Sequence, residues 1–185
     1  MTEEIEEKTK ARMQKSIDAL GSNFSKIRTG RAHPGILDGI SVDYYGNATP
    51  LSQVANISVL DARTLSISPW EKQLTPGIEK AILKSDLGLN PATTGDLIRL
   101  PMPALTEETR KNFTKQAKSE AENAKISIRS IRRDALGELK DLLKEKVISE
   151  DQERKMHDGI QKITDQFVAD VDAAYAVKEK DLLEI

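Results

Sequence analysis

Apolar residues recur at steps of three and four along three stretches of the chain. Met13, Ile17, Leu20, Phe24 and Ile27 make the first set. Phe113, Ala117, Ala121, Ala124, Ile128, Ile131, Ala135, Leu139 and Leu142 make the second, and Met156, Ile160, Ile163, Phe167, Val171 and Ala174 the third. At helical periodicity each set falls on one side of a cylinder, which predicts three helices with one buried stripe apiece. Helix-start chemistry agrees. Thr106 precedes Glu107 and Glu108, and Ser149-Glu-Asp-Gln152 is a capping box, in which hydroxyl and amide satisfy free backbone N–H groups reciprocally. These signals predict helices near 107–146 and 150–183. The former would be about 60 Å long at about 1.5 Å per residue, which suits an elongated bundle and not a compact globule. Three seams facing one axis predict an antiparallel three-helix bundle.

The stretch between the first and second seams has another texture. Pro and Gly cluster, and short β-rich runs alternate with turn signals at 40–45, 54–60, 64–68 and 97–100. One short helix fits at 75–83, with Thr75 as N-cap, Pro76 at the first helical position and Gly88 shortly after the end. The fold class expected is α+β: the bundle from residues 1–29 and 106–185, with a small α/β domain of residues 30–105 inserted into it. The chain enters the insertion through Thr29-Gly30-Arg31-Ala32-His33-Pro34-Gly35 and leaves through Pro101-Met102-Pro103-Ala104-Leu105. Pro limits φ and Gly relaxes it, so a rotation would concentrate at Gly30, Arg31, Ala104, Leu105 and Thr106. Two connectors without functional motion are the other reading of the same residues.

Composition narrows the function. The chain has 185 residues, 38% of them hydrophobic, with no Cys, one Trp and 4% aromatics. Without Cys there is no disulfide framework, thiolate zinc site, iron–sulfur cluster or cysteine nucleophile. The acidic start Met-Thr-Glu-Glu-Ile-Glu-Glu-Lys lacks the features of a secretory signal, and no apolar run approaches the ~18 residues of a membrane span. The expected location is cytoplasmic. Phosphate-loop, dinucleotide-binding, His-Glu-x-x-His and Gly-x-Ser-x-Gly motifs are all missing. His33 and His157 stand alone, and carboxylate pairs such as Glu3 with Glu7 or Asp170 with Asp172 lie on solvated helices. No catalytic residue, metal site or cofactor is expected. Trp70, in Ser-Pro-Trp-Glu, is read as a packing residue of the small domain, with a partner contact the alternative.

Charge adds the one positive signal. The net charge is −2, but residues 149–185 carry 5 basic and 10 acidic groups, whereas Arg110 to Arg133 holds eight basic residues against Glu120 and Glu122. Lys111, Lys115, Lys118, Lys125, Arg129 and Arg132 follow helical steps of 4, 3, 7, 4 and 3, and Arg133 flanks them. They line one face about 110° round from the apolar seam and span about 30 Å. Long cations on a rigid support match phosphates, because guanidinium forks fit phosphate oxygens and counterion release drives binding. A solvated helix face is the bland alternative, although such a face normally interleaves acids. Arg28 and Arg31 add to the row if the end of the first helix meets the start of the second near Arg110. The acidic third helix is expected to face away from a nucleic acid.

The residues also resemble the bacterial ribosome recycling factor family. The likeness rests on Lys26-Ile-Arg-Thr-Gly-Arg-Ala32, Tyr44-Tyr-Gly46, Thr49-Pro-Leu51, Ser85-Asp-Leu-Gly-Leu-Asn-Pro91, Ile98-Arg-Leu-Pro-Met-Pro-Ala-Leu-Thr-Glu-Glu108 and Ile131-Arg-Arg-Asp-Ala135. It implies an L-shaped molecule with a hinge between bundle and small domain. It further implies a non-enzymatic translation factor that binds rRNA of the large ribosomal subunit. With elongation factor G and GTP it would split post-termination ribosomes, releasing mRNA and deacylated tRNA. Arg110, Arg129 and Arg132 fall at family positions associated with rRNA contact. Lys26, Arg28, Arg31, Arg133, Lys118 and Lys125 join them by local position or by the stripe. The expectation includes neither DNA nor membrane, and a monomer. His33 departs from the family, where Ser or Asn is common, and the last ten residues follow no strict pattern. The rival readings are a chaperone-like helical interaction protein, which predicts an exposed apolar groove and weak salt dependence, and a general RNA-binding module.

Overall fold

In a computed structural model, which describes residues 2–184, the three seams become helices. They are α1 (Thr2–Lys26), α3 (Glu107–Lys144) and α4 (Glu150–Leu183), with α2 (Thr75–Lys84) in the middle of the chain. The residues divide into two compact units, 2–24 with 114–180 and 25–113 with 181–184. The expected joints at 29/30 and 105/106 lie inside the second unit, and residues 1 and 185 of the expected spans lie outside the described residues.

The first unit is a three-helix bundle whose directions follow from its cross-helix contacts. Lys8 reaches Glu138 at 3.1 Å, Arg12 reaches Asp134 at 2.9 Å, Ser16 meets Ser127 at 3.0 Å and Asn23 donates to Glu120 at 3.0 Å. Numbers fall on α3 as they rise on α1, so the two run antiparallel. The seams close on one core. Met13, Ala117, Ile128, Leu139, Ile160 and Val171 are fully enclosed, and Ala121 and Ala124 keep the α3 side of the seam thin, so its neighbours can approach closely. The stripe of α1 also extends about two turns further toward the N-terminus than expected, through buried Thr9 and Ile5. Thr9 is tolerated there because its hydroxyl donates to the Ile5 carbonyl at 2.6 Å. At the α3–α4 corner Lys146 takes a left-handed φ of 57°, and the Val147 and Lys146 amides bond back to the Leu142 and Leu143 carbonyls. The capping box then opens α4 as expected, Ser149 N–H to Gln152 at 2.9 Å and Gln152 N–H to Ser149 at 3.2 Å.

The second unit carries six strands, β1 (Ser41–Tyr44), β2 (Asn47–Pro50), β3 (Ala55–Asp61), β4 (Thr64–Pro69), β5 (Ala92–Thr94) and β6 (Leu97–Pro101). The first two form an antiparallel hairpin, and the others an antiparallel sheet in the order β3-β4-β6-β5. Strand β4 is central, so Leu65, Ser66 and Ile67 are all buried, and Ser66 shares a 2.6 Å hydrogen bond with Ser58 opposite it. Ile78 and Ile82 of α2 complete that core with Ile98 and Leu100 of β6.

Three expectations need correction here. Strands β2 and β5 went unread, because Asn-Ala-Thr-Pro and Ala-Thr-Thr carry no apolar alternation; their partners' backbones impose the pairing. Thr75 is not an N-cap. A 3-10 turn at Lys72–Leu74 runs straight into α2, placing Thr75 in helical conformation with a buried hydroxyl that has no hydrogen-bond partner among the described residues. Trp70 is not a core residue either: it is 62% exposed. His33, in contrast, finds a local reason. Its Nδ1 accepts the Gly35 N–H at 3.0 Å and caps the 3-10 turn Pro34–Leu37, as a Ser or Asn oxygen would.

Candidate nucleic-acid interface

Helix α3 of the bundle unit has one side for each neighbour and one side left over. Contacts to α1 occupy the flank of Glu120, Ser127, Asp134 and Glu138. Helix α4 occupies the opposite flank, where Lys125 meets Asp172 at 2.5 Å and Arg132 donates through Nη1 to Gln161 at 3.1 Å. The remaining side shows Lys115, Lys118, Arg129 and Arg133 to solvent, within about 60° of one another on a helical wheel and along about 27 Å. Among the described residues Lys115, Lys118 and Arg133 have no ion pair. Arg129 meets Glu122 at 3.5 Å, a loose surface pair with both side chains about half exposed. Such pairs contribute little, so Arg129 can exchange its partner at small cost.

The structure therefore splits the predicted stripe. Lys125 and Arg132 sit on its α4 edge, and the acidic helix does not turn away from the row as expected: Asp172 neutralises Lys125 directly. Arg132 is held and not neutralised. Gln161 accepts from its Nη1 and donates in turn to Asp165 at 2.9 Å, so the amide is oriented and the guanidinium plane with it. Its Nε is buried with no hydrogen-bond partner among the described residues.

In the second unit the predicted cations do different things. Lys26, the last residue of α1, is exposed. Arg28 donates to the Pro103 carbonyl at 2.9 Å and to the Leu87 carbonyl at 3.5 Å, tying the two linkers together, and burial lowers its pKa. Arg31 forms an ion pair with Glu184, and its backbone N–H reaches the Thr29 hydroxyl at 3.2 Å. Arg110 is half-buried and falls on the seam side of α3 instead of in the cation row. Lys111 pairs with Glu107 at 3.0 Å. Of the hinge residues, Leu105 is buried, Ala104 is exposed, and Thr106 caps α3 by accepting the Thr109 N–H at 3.1 Å. A Cβ built on Gly30 meets nothing within 4 Å.

Comparison with known proteins decides the family. A model described as ribosome recycling factor matches residues 20–183. The chain belongs to the ribosome recycling factor family. It is 66% identical to the ribosome-recycling factor of Saccharophagus degradans and 65% identical to that of Marinomonas sp., each over 100% of both chains. Among solved structures it is similar to a solution structure of the ribosome recycling factor, with 31% identity and a TM-score of 0.77 over 100% of this chain and 98% of the other. It is also 42% identical, with a TM-score of 0.71 and full coverage of both chains, to a T. thermophilus ribosome recycling factor placed with E. coli elongation factor G on the E. coli post-termination complex. The bundle with an inserted α/β unit, read from periodicity, is the recycling factor fold. Among the described residues no helix is long and apolar enough to cross a membrane, and no cluster of His, Asp and Glu is suited to a metal ion.

Gln161 and Asp165 were missed by sequence reading, although they bear on the site. Their i, i+4 spacing on α4 signals an amide–carboxylate pair, but nothing local indicates that the pair abuts Arg132, which is 29 residues earlier.

Proposed function

We propose that this recycling factor docks on large-subunit rRNA through α3 and, with elongation factor G and GTP, separates post-termination ribosomes into subunits, releasing mRNA and deacylated tRNA. The observation that carries the reading is the row of exposed cations on α3, of which Lys115, Lys118 and Arg133 have no ion pair among the described residues and Arg129 only a loose one with Glu122, in a chain of this family. Lys115, Lys118, Arg129 and Arg133 present the charge, and Arg132 is the pre-oriented donor at the row's edge. Lys26 and Arg110 are additional contacts from the second unit. Arg28 and Arg31 act by holding the linkers in place, and Lys125 by fastening α3 to α4. The relative placed with elongation factor G on the post-termination complex supports the choice of partner. The factor performs no covalent chemistry and works in the cytoplasm as a monomer; the GTPase supplies the free energy. Light scattering of post-termination ribosomes tests this. Scattering is expected to fall only when the protein, elongation factor G and GTP are all present, and a fall that does not need the protein would overturn the reading.

The linkers supply the motion in this scheme. Rotation concentrates at Gly30 and Arg31 on one strand and at Ala104 to Thr106 on the other. Pro at position 30 restricts φ there and biases Thr29 toward extended backbone. Gly30→Pro is therefore expected to bind ribosomes within about twofold of the parent while splitting them about tenfold more slowly, as hinge variants do when a conformational step limits the rate. Equal losses in binding and splitting would assign the linker to folding alone.

A further inference from the structure

One aromatic cluster on the second unit is explained by packing only at Tyr44, which lies against the small core, and not at the exposed Tyr45 and Trp70. Tyr44 and Tyr45 stand edge to face with ring centroids 4.6 Å apart, and both hydroxyls donate to Glu71, Tyr44 to Oε1 at 2.8 Å and Tyr45 to Oε2 at 3.1 Å. These hydrogen bonds raise both phenol pKa values, so the rings remain neutral donors. Trp70 stands next to Glu71 in sequence, and with Tyr44, Glu71, Gln53 and Leu74 it lines an open recess. Trp70 is 62% exposed and Tyr45 75%. Tyr45 also has a left-handed φ of 49°, followed by Gly46 at 85°, in a two-residue hairpin turn where Asn would be the relaxed choice. The turn thus accepts strain in placing a tyrosine over Glu71.

The charge of the recess selects its occupant. Glu71 is the charged residue among the described residues that line it, and the neighbouring, exposed Lys72 faces Asp96 at 3.2 Å. Each Glu71 oxygen already accepts one tyrosyl hydrogen bond, and a carboxylate has about four acceptor sites, so capacity for a cation remains. Aromatic faces beside a carboxylate attract a cation twice over, through the ring quadrupole and through charge. An apolar side chain would cover Glu71 without pairing it, and a nucleic-acid base would stack but bring phosphates toward the carboxylate. We propose that this recess holds an arginine or lysine side chain from a basic protein partner, with the cation against Trp70 and its N–H groups on Glu71. The inference stands independently of the rRNA reading of α3.

Trp70 is the one tryptophan in the chain, so its emission reports this site. The full-length protein is titrated with a Gly/Ser-spaced peptide carrying three arginines, with the same peptide carrying citrulline, and with single-stranded oligouridine. The arginine peptide is expected to shift Trp70 emission saturably and at least tenfold more tightly than its neutral isostere. Glu71→Gln is expected to weaken it about tenfold while the circular dichroism stays that of the parent. If Glu71→Gln disturbs the hairpin, Trp70→Leu decides instead, because that side chain is mostly exposed and lies outside the buried core: calorimetry is expected to show at least fivefold weaker peptide binding. Arginine and citrulline peptides of equal affinity, no change in Trp70→Leu, or an emission response to oligouridine alone would each overturn the proposal.

Discussion

Replacing Arg129 and Arg132 together by alanine is expected to weaken binding to the large ribosomal subunit by about 100-fold, because hydrogen bonds to charged groups contribute about 1.5–3 kcal/mol each and about 1.4 kcal/mol is a factor of ten. The two arginines reach that effect by different routes. Arg129 is exposed and only loosely engaged by Glu122 at 3.5 Å, so its guanidinium changes partners at little cost. Arg132 is pre-oriented by Gln161, so less side-chain entropy is lost when it meets a phosphate. Counterion release gives a second signature: the slope of log affinity against log salt should become shallower by about 2 in the double variant. Alanine is the strongest helix former, so the helix itself is preserved and circular dichroism should not change. Ribosome affinity within about twofold of the parent would reduce the row to a solvated helix face.

Leu139→Ala is expected to be the most damaging single truncation in the bundle, lowering stability by about 2–5 kcal/mol through lost transfer free energy and a residual cavity. Leu139 is fully enclosed and packs in one cluster with Ile5, Ala135, Ile148, Met156 and Ile160. Those neighbours come from α1, α3, the α3–α4 corner and α4, so no single side chain can swing in to fill the space. At about 2–4 °C per kcal/mol for a chain of this size, the thermal midpoint followed by helical circular dichroism should fall by about 4–20 °C. A drop under about 2 °C would mean that the bundle end collapses around the cavity, and that this end is softer than its packing indicates.

The bundle was legible in the sequence because helical burial is periodic. Every second-seam residue from Ala117 to Leu139 named from spacing alone is buried, and the capping box at Ser149 sits at the first residue of α4's cap. Pairing in the small unit was half legible. Strands β3, β4 and β6 contain β-branched and apolar runs, whereas β2 and β5 exist through partner backbones and carry no such signal. Thr75 failed as a cap for a related reason: the turn before α2 was already helical, which no residue preference at position 75 records.

For the site, the sequence by itself determined which cations lie on α3 and at what angular spacing, since helical periodicity converts residue number directly into direction. It also determined, through the motifs that run the length of the chain, the family to which the protein belongs. Only the tertiary structure decided which of those cations are available. Lys125 is paired with Asp172 and Arg132 is steered by Gln161, partners 47 and 29 positions away along the chain, while Arg28 and Arg31 are drawn to Pro103 and Glu184. The Tyr44, Tyr45 and Glu71 clamp arises in the same way, across 26 to 27 residues. Ion pairs and hydrogen bonds act over a few ångströms, so the neighbours that free or occupy a charge are set by how the chain returns on itself, and local residue pattern does not encode that return.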